Sequence, residues 1–400
     1  MAMSGPASTE GYEATYGGPA LLAETREKSL TLGYTVARFS LWSETPGGRA
    51  ALPNDEMKQL YIGAALPIPF GGALKDRVTF GVGFYDPVQY LVRGKILYPE
   101  RFQYPILAPR TQSLALTLGL GMRLGDRVFV GVGYEALAAV IGEIDITVDS
   151  TGHVGARSDD QVVAAYAPIA SVAVDVSEHV RVGLTFRGEL VGRFAITIKA
   201  QDLGIAIPDL NVAGLAQYDP AQLHAEVRWT SDARALGKSP TPHTLDGWTV
   251  ALGAIARRWS KYPGAPEKTV LANDDSDYGP PPVNAHDTIA PRLAVERGLP
   301  FTPHVGVRLR AGYAYEPSPM PAQTGASNYF DDDRHVLTAG FGLVGDATFP
   351  LRVDTFGQVH VLAARTQVKD GSVDASAPGA PWVKSGGSVF VVGITTGVSF

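Results

Sequence analysis

The sequence predicts an all-β protein: a transmembrane, antiparallel, up-and-down β-barrel of about fourteen strands. Three observations carry that prediction. Apolar and polar residues alternate through segments longer than the strands of most soluble domains. Long loops and tight turns take turns in joining those segments. Only 18% of the 400 residues are charged, at a mean hydropathy near zero, whereas soluble chains average nearer a quarter.

Ser113 to Leu124 shows the alternation most clearly. Leu114, Leu116, Leu118, Leu120, Met122 and Leu124 share one face, and Ser113, Ala115, Thr117, Gly119, Gly121 and Arg123 the other. Period-two patterning of this kind suits a strand with one apolar and one wet face, and about 9–11 residues cross a bilayer. From Val180 to Lys199, Val182, Leu184, Phe186, Leu190, Phe194, Ile196 and Ile198 oppose Arg181, Thr185, Arg187, Glu189, Arg193 and Lys199. This reads as one strand of roughly twenty residues, against a globular mode of about 5–6. Charge confined to one face implies a wet interior. From Val305 to Tyr315, Val305, Val307, Leu309, Tyr313 and Tyr315 oppose Arg308 and Arg310. The two tyrosines fall where an interfacial girdle belongs. Phe390, Val392, Ile394, Thr396, Val398 and Phe400 repeat the pattern to the end of the sequence. A terminal aromatic on such a strand resembles the signal read by the barrel-assembly machinery of bacterial outer membranes, which makes that machinery an expected partner through Phe400.

Candidate strands run at about 30–43, 58–67, 77–86, 112–124, 127–140, 162–175, 179–199, 221–230, 246–259, 287–297, 305–316, 334–344, 350–365 and 387–400. Residues 87–111, 141–161, 200–220, 260–286, 317–333 and 366–386 are long connections. Gly125-Asp126, Ser177-Glu178 and Gly345 to Thr348 are short ones, and 231–245 is the exception, too long for a tight turn. An even strand count puts both termini on the short-turn, periplasmic side. No run of about 18 apolar residues offers a transmembrane helix. Met1 to Glu10 has no basic-then-apolar leader, so the numbering is read as that of a mature or trimmed chain.

Several functions are disfavoured. The net charge is −6 with no basic stripe, which argues against nucleic acid. Cysteine is absent, excluding disulfides and thiolate metal sites. The eight histidines show no metal spacing, and no G-x-S-x-G occurs, so neither enzyme, metal nor cofactor is expected. Gly340 to Gly345 matches G-x-G-x-x-G but lies inside a strand instead of between a strand and a helix. The glycine pairs Gly81/Gly83, Gly119/Gly121 and Gly131/Gly133 fall on the inner face, where small residues leave space in a lumen. Asp274, Asp275 and Asp277, and Asp331, Asp332 and Asp333, lack the Gly and terminal Glu of a calcium loop and read as solvated loop charge. The inward arginines, Arg187 and Arg193 among them, form a paired lumen network or receive a ligand carboxylate in bidentate fashion. Loop 87–111 is markedly apolar, through Tyr90, Leu91, Ile96, Leu97, Tyr98 and Phe102 in particular. It is either an exposed binding patch or a loop folded back on the barrel mouth.

Several motifs resemble those of the FadL-type long-chain fatty-acid transporters of the outer membrane. Ala14 to Ala23, just before the first strand, is similar to A-T-x-x-N-P-A-G-L-A. Trp259-Ser260 matches a W-S at a strand end. Arg310 to Pro321 is similar to R-x-G-Y-x-Y-x-x-S-P-V-P, and Asp331 to His335 to the D-x-D-R that follows. Order and spacing agree from about residue 8 to 400. Gly18 replaces the usual Asn, Leu21 the usual Gly, and the segment ahead of the motif is short.

The resemblance implies a barrel over 30–400 plugged by a hatch over 1–29, with Tyr16 and Pro19 in the hatch. It implies passive uptake of hydrophobic small molecules, long-chain fatty acids first, then aromatic or terpene-like molecules. Ligand would be captured by the apolar loop, held in the lumen, and released sideways through a kinked wall at Gly81, Gly83 and Pro87, or at Pro168. A monomer in outer-membrane lipid and lipopolysaccharide is expected. A polar-solute porin and a structural or adhesive barrel share the same strand pattern.

Overall fold

The computed structural model describes residues 5–88, 92–93, 100–107, 112–148, 154–201, 210–232, 242, 245–264, 268–271, 283–346, 350–370 and 378–400. Its fourteen barrel strands are β1 (Ser29–Thr45), β2 (Met57–Pro67), β3 (Val78–Pro87), β4 (Ala115–Leu124), β5 (Val128–Val148), β6 (Val154–Asp175), β7 (Val180–Arg187), β8 (Gln222–Thr230), β9 (Gly247–Arg257), β10 (Thr288–Thr302), β11 (Val305–Glu316), β12 (Arg334–Gly345), β13 (Leu351–Val368) and β14 (Trp382–Ser399). Each pairs antiparallel with its neighbours in sequence. The sheet closes where β1 meets β14, from Ser29↔Ser399 to Glu44↔Lys384. Closure removes the free edges an open sheet would expose.

The faces follow the alternation. On β8, Gln222, His224, Glu226, Arg228 and Thr230 are buried, while Leu223, Val227 and Trp229 are exposed. On β7, Arg181, Gly183, Thr185 and Arg187 are buried and Val182, Leu184 and Phe186 exposed. This is the inside-out pattern of a barrel with a polar lumen and an apolar outer belt. Leu184→Arg should cost about 2–4 kcal/mol at mid-belt. Refolding into bilayers would then fall, while Thr185→Arg on the neighbouring lumen face disturbs the interior instead. Equal refolding of Leu184→Arg and the native chain would contradict the facing assigned here.

Two expectations need correction. The single strand expected over 179–199 is broken at Gly188-Glu189, between β7 and Leu190–Gln201. Residues 141–161 and 200–220, expected as loops, hold the upper halves of β5 and β6 and the strand Leu210–Asp219. The break coincides with Pro168 on the adjoining strand. Proline has no N–H to give the ladder. The β6–β7 pairing ends at Ile169↔Arg187, where Gly188 N donates to Pro168 O at 2.8 Å. Beyond this point Leu190–Gln201 leaves β6. It pairs with Leu210–Asp219, and in parallel with upper β5 from Ala195↔Ile141 to Gln201↔Thr147. At the end of the overlong connection 231–245, Leu245 tucks inward against the bare backbones of Gly298 and Gly306.

Candidate functional site

Residues 5–24 form a plug inside the barrel, and 25–28 are the strap that joins it to β1. Three short helical turns, Gly11–Glu13, Ala14–Gly17 and Pro19–Glu24, carry buried Tyr12, Thr15, Leu21 and Leu22. The inner-face glycines make room for them. A Cβ on Gly81 would come within 2.6 Å of Leu22, one on Gly119 within 2.9 Å of the same side chain, and one on Gly131 would overlap the backbone of Pro19 and Ala20. The space anticipated from glycine parity is thus occupied by this plug.

Charge fixes the plug at three places. Glu226 of β8 accepts from Gly5 N at 2.7 Å, from Ala7 N at 3.3 Å and from Ser8 Oγ. Glu10 accepts from Arg308 and Arg352 at 2.9 and 2.8 Å. Those arginines belong to a wall network in which Arg310 bonds Glu296 at 2.7 Å, and Arg310 and Arg352 both bond Asp354. Glu24 takes both Nη atoms of Arg181 at 2.6 Å, and Asp175 holds the same guanidinium from the wall side at 2.5 Å. Arg181 has no exposed surface. Buried charge of this kind is tolerable only because each group is paired.

Above the plug lie two cavities. The upper one, about 480 Å³, opens among Ile106, Leu107, Leu215, Tyr218, Trp259 and Tyr262 and is floored by Arg257, Arg292, Glu316 and Arg334. The three aromatic rings pack mutually at 5.3 to 6.1 Å. Glu316 bridges Arg257 and Arg292 at 2.5 and 2.6 Å. The second cavity, about 360 Å³, shares Met57, Gln217 and Asp219 with the first and ends on Tyr16 of the plug. Its apolar side includes Ala115 and Leu137, which cluster with Ala167 and Leu190 beside the break at Pro168. The arrangement offers an apolar entrance, a polar floor and an apolar flank.

Of the residues singled out from sequence, Tyr90, Leu91, Ile96, Leu97 and Tyr98 lie outside the described residues. Phe102 does not: it stacks on Phe330 at 5.7 Å. Gln103 bridges Tyr329, and Tyr104 is buried beside Phe330. The described end of the apolar loop therefore folds back across the barrel mouth, and its Ile106 and Leu107 line the upper cavity. Arg187 sits 3.7 Å over the Tyr16 ring. Arg193 lies beyond a register shift at Gly192/Arg193 and is exposed, so these two arginines are not brought together. Pro19 packs toward Gly119, Gly121 and Gly131. The ladders of β3 pair without a shift through Gly81, Gly83 and, on the β2 side, Pro87; the interruption is at Pro168.

The solvated reading of Asp331 to Asp333 is corrected. Asp331 and Asp332 are buried because residues 317–333 seal part of the mouth. Asp332 accepts from Tyr104 and Ser385 at 2.7 and 2.8 Å, and Asp333 from Tyr315 and Ser318 N at 2.6 and 2.8 Å. Burial, opposed by Arg334, pushes the Asp331 carboxyl up to about 6. A raised carboxyl pKa means the folded loop holds its proton more tightly than the unfolded one. Its stabilisation is complete below the unfolded value near 4 and is lost as pH rises through about 6. Amide protection across 318–333, taken relative to the intrinsic base-catalysed exchange, should fall between pH 5 and 7.5, and Asp331→Asn should flatten that dependence. An unchanged pH response in the variant would rule Asp331 out as its source.

Sequence reasoning missed Tyr218, Tyr262 and the Arg257–Glu316–Arg292 floor. Trp259 and Arg334 stood inside quoted motifs without being assigned to a cavity. Strand parity offered a signal for Arg257, Arg292 and Glu316, which lie on alternating strands with their charges inward. The aromatics meet only through packing between separate loops.

A closed fourteen-strand barrel with its N-terminal segment folded into the lumen defines a plugged-barrel architecture. More particularly it is the FadL-type fold, as the motifs suggested. It superposes on a FadL homologue of Pseudomonas aeruginosa with a TM-score of 0.63 at 12% identity, over 100% of this chain and 95% of that one. The toluene transporter TodX of P. putida gives 0.60 at 13%, over 98% and 96%. The monoaromatic hydrocarbon channel CymD gives 0.54 at 15%, over 99% and 95%. No family model matches the chain, and neither does any curated protein sequence.

Proposed function

We propose that this chain is an outer-membrane channel for passive uptake of hydrophobic small molecules, with long-chain fatty acids the first candidate. The observation that carries this reading is the pair of adjoining cavities, which share Met57, Gln217 and Asp219. Together they reach from the apolar mouth to the plug, over a lining where Arg257, Arg292 and Arg334 outnumber Glu316 and Asp219. A chain with a carboxylate end suits apolar walls over a cationic floor, because guanidinium binds carboxylate through two parallel hydrogen bonds. The second reading is a small aromatic hydrocarbon, favoured by the Tyr218, Trp259 and Tyr262 rings and by the structural likeness to hydrocarbon channels. The sideways exit is assigned to the wall beside Pro168 in preference to Gly81–Pro87, on the support of the interrupted ladder and the apolar cluster flanking it.

Solvent extraction of the purified protein, followed by mass spectrometry, tests the cargo. Bound fatty acid supports the first reading and bound aromatics the second. No apolar ligand together with steady ion conductance in planar bilayers would make the chain a porin. Leu190→Trp, which overfills the cluster beside Pro168, should lower uptake severalfold while ligand retention in the purified protein stays unchanged. Undiminished uptake would remove the exit from this position.

A further inference from the structure

At the turn end of the barrel Arg77 and Arg123 stand opposite one another, and Arg26 lies within reach of the Arg123 charge. Arg77 and Arg123 precede β3 and end β4 opposite one another, with Arg123 N donating to Arg77 O at 2.9 Å. Both continue the inward parity of Thr79, Gly81, Thr117 and Gly121, and both are half-buried. Arg26, in the strap between plug and β1, reaches the same rim and donates to the backbone carbonyl of Asp76 at 2.7 Å. Like charges directly opposite across a ladder are destabilising, so such a trio needs a counter-charge. The nearby carboxylates of Glu24 and Asp175 are engaged by Arg181, and the charge of the exposed Asp76 bears on Arg26. The Nε of Arg123 is buried and has no hydrogen-bond partner among the described residues. Partial burial, and then the Arg123 charge, draw the Arg26 pKa below its usual value. On the outer side of the same rim, Phe70, Leu74 and Leu124 are exposed, and Lys75 and Arg127 flank them in the adjoining turns.

We propose that Arg26, Arg77 and Arg123 form a phosphate-binding site at the turn-end rim, filled by the headgroup of an anionic phospholipid of the inner leaflet. The assignment rests on the outer-membrane reading above. Guanidinium is the side chain best matched to phosphate oxygens, and the rim lies at the height where a lipid headgroup meets a barrel wall. Phe70, Leu74 and Leu124 receive the acyl chains while the phosphate folds over the turn to the arginines. Because Arg26 belongs to the strap below the plug, a bound headgroup ties that strap to β3 and β4.

The test uses the full chain in nanodiscs of mixed phosphatidylglycerol and phosphatidylcholine, transferred to neutral detergent, with retained lipid counted by native mass spectrometry. Retained phosphatidylglycerol should exceed its share of the bilayer. Arg77→Gln combined with Arg123→Gln should cut that excess roughly tenfold, the loss of about one strong charge-assisted contact. The paired Arg→Lys substitutions should keep most of it. The Gln variant relieves a repulsion, so its barrel should fold, as heat-dependent gel mobility will show. Equal enrichment in the native and Gln proteins overturns the site. If inorganic phosphate raises the unfolding temperature of the native protein but not of the Gln variant, and phosphatidylglycerol is not enriched, the site takes a soluble anion and the lipid assignment is overturned. A chain that neither enters nanodiscs nor shows barrel mobility refutes the membrane reading itself, an outcome distinct from these.

Discussion

Replacing Arg181 with Met should release the plug from an otherwise intact barrel. The guanidinium is fully buried between Glu24 of the plug and Asp175 of the wall, making four hydrogen bonds of 2.5 to 3.0 Å. Its loss leaves two carboxylates facing one another in a site with little solvent, a change that costs about 3–5 kcal/mol when one partner of a buried pair is removed. The barrel has many other ladders, whereas the ionic hold on the plug rests on two sites, Glu10 with Arg308 and Arg352 and Glu24 with Arg181. The cost should therefore appear as displacement of residues 5–28. Limited proteolysis should cut that segment in the variant and spare it in the native protein, and bilayer conductance should rise. Glu24→Leu added to Arg181→Met should recover part of the protection, since it removes one unpaired charge. A protease-resistant N-terminal segment in the single variant would show that packing alone retains the plug.

Gly131→Val should have a comparable effect by steric means. The added Cβ meets the backbone of Pro19 and Ala20, which cannot turn aside as a flexible side chain would. Overpacking commonly costs about 1–3 kcal/mol, and backbone resistance puts this site at the upper end. The expected result is higher ion conductance with normal barrel mobility. Gly357→Ala is the control: its nearest neighbour would be 3.9 Å away, so conductance should remain native. If the two variants behave alike, the glycine wall does not shape the plug.

Much of this was legible in the sequence because a barrel wall writes its geometry locally. Each residue of β4 or β7 faces either the apolar outer belt or the lumen, and the requirement alternates with every residue. The faces of Leu118 and Thr117, or Leu184 and Thr185, follow directly. The pattern lapses beyond the regular wall, where Arg157, Asp159 and Asp160 are all exposed on consecutive or near-consecutive positions of β6. No apolar face constrains them, so they read as loop. Asp331 and Asp332 misled for the opposite reason. An acidic run normally stays in water, but here Tyr104 and Ser385, far away in sequence, supply donors that make burial of Asp332 tolerable. The cavity floor was half legible: parity turns Arg257, Arg292 and Glu316 inward, yet nothing local says that they meet.

The separations within the plug carry a consequence for biogenesis. Gly5 reaches Glu226 across 221 residues, Glu10 reaches Arg308 across 298 and Arg352 across 342, and Glu24 reaches Arg181 across 157. Contacts so remote in the chain form only after the intervening polymer is arranged, since the entropy of closing long loops comes first. The strands bearing Arg308 and Arg352 are the eleventh and thirteenth of fourteen. The plug thus finds its full set of partners only once the wall is nearly finished. Seating of residues 5–28 is therefore expected to be a late and slow step of assembly, set by the length of chain that each contact has to close.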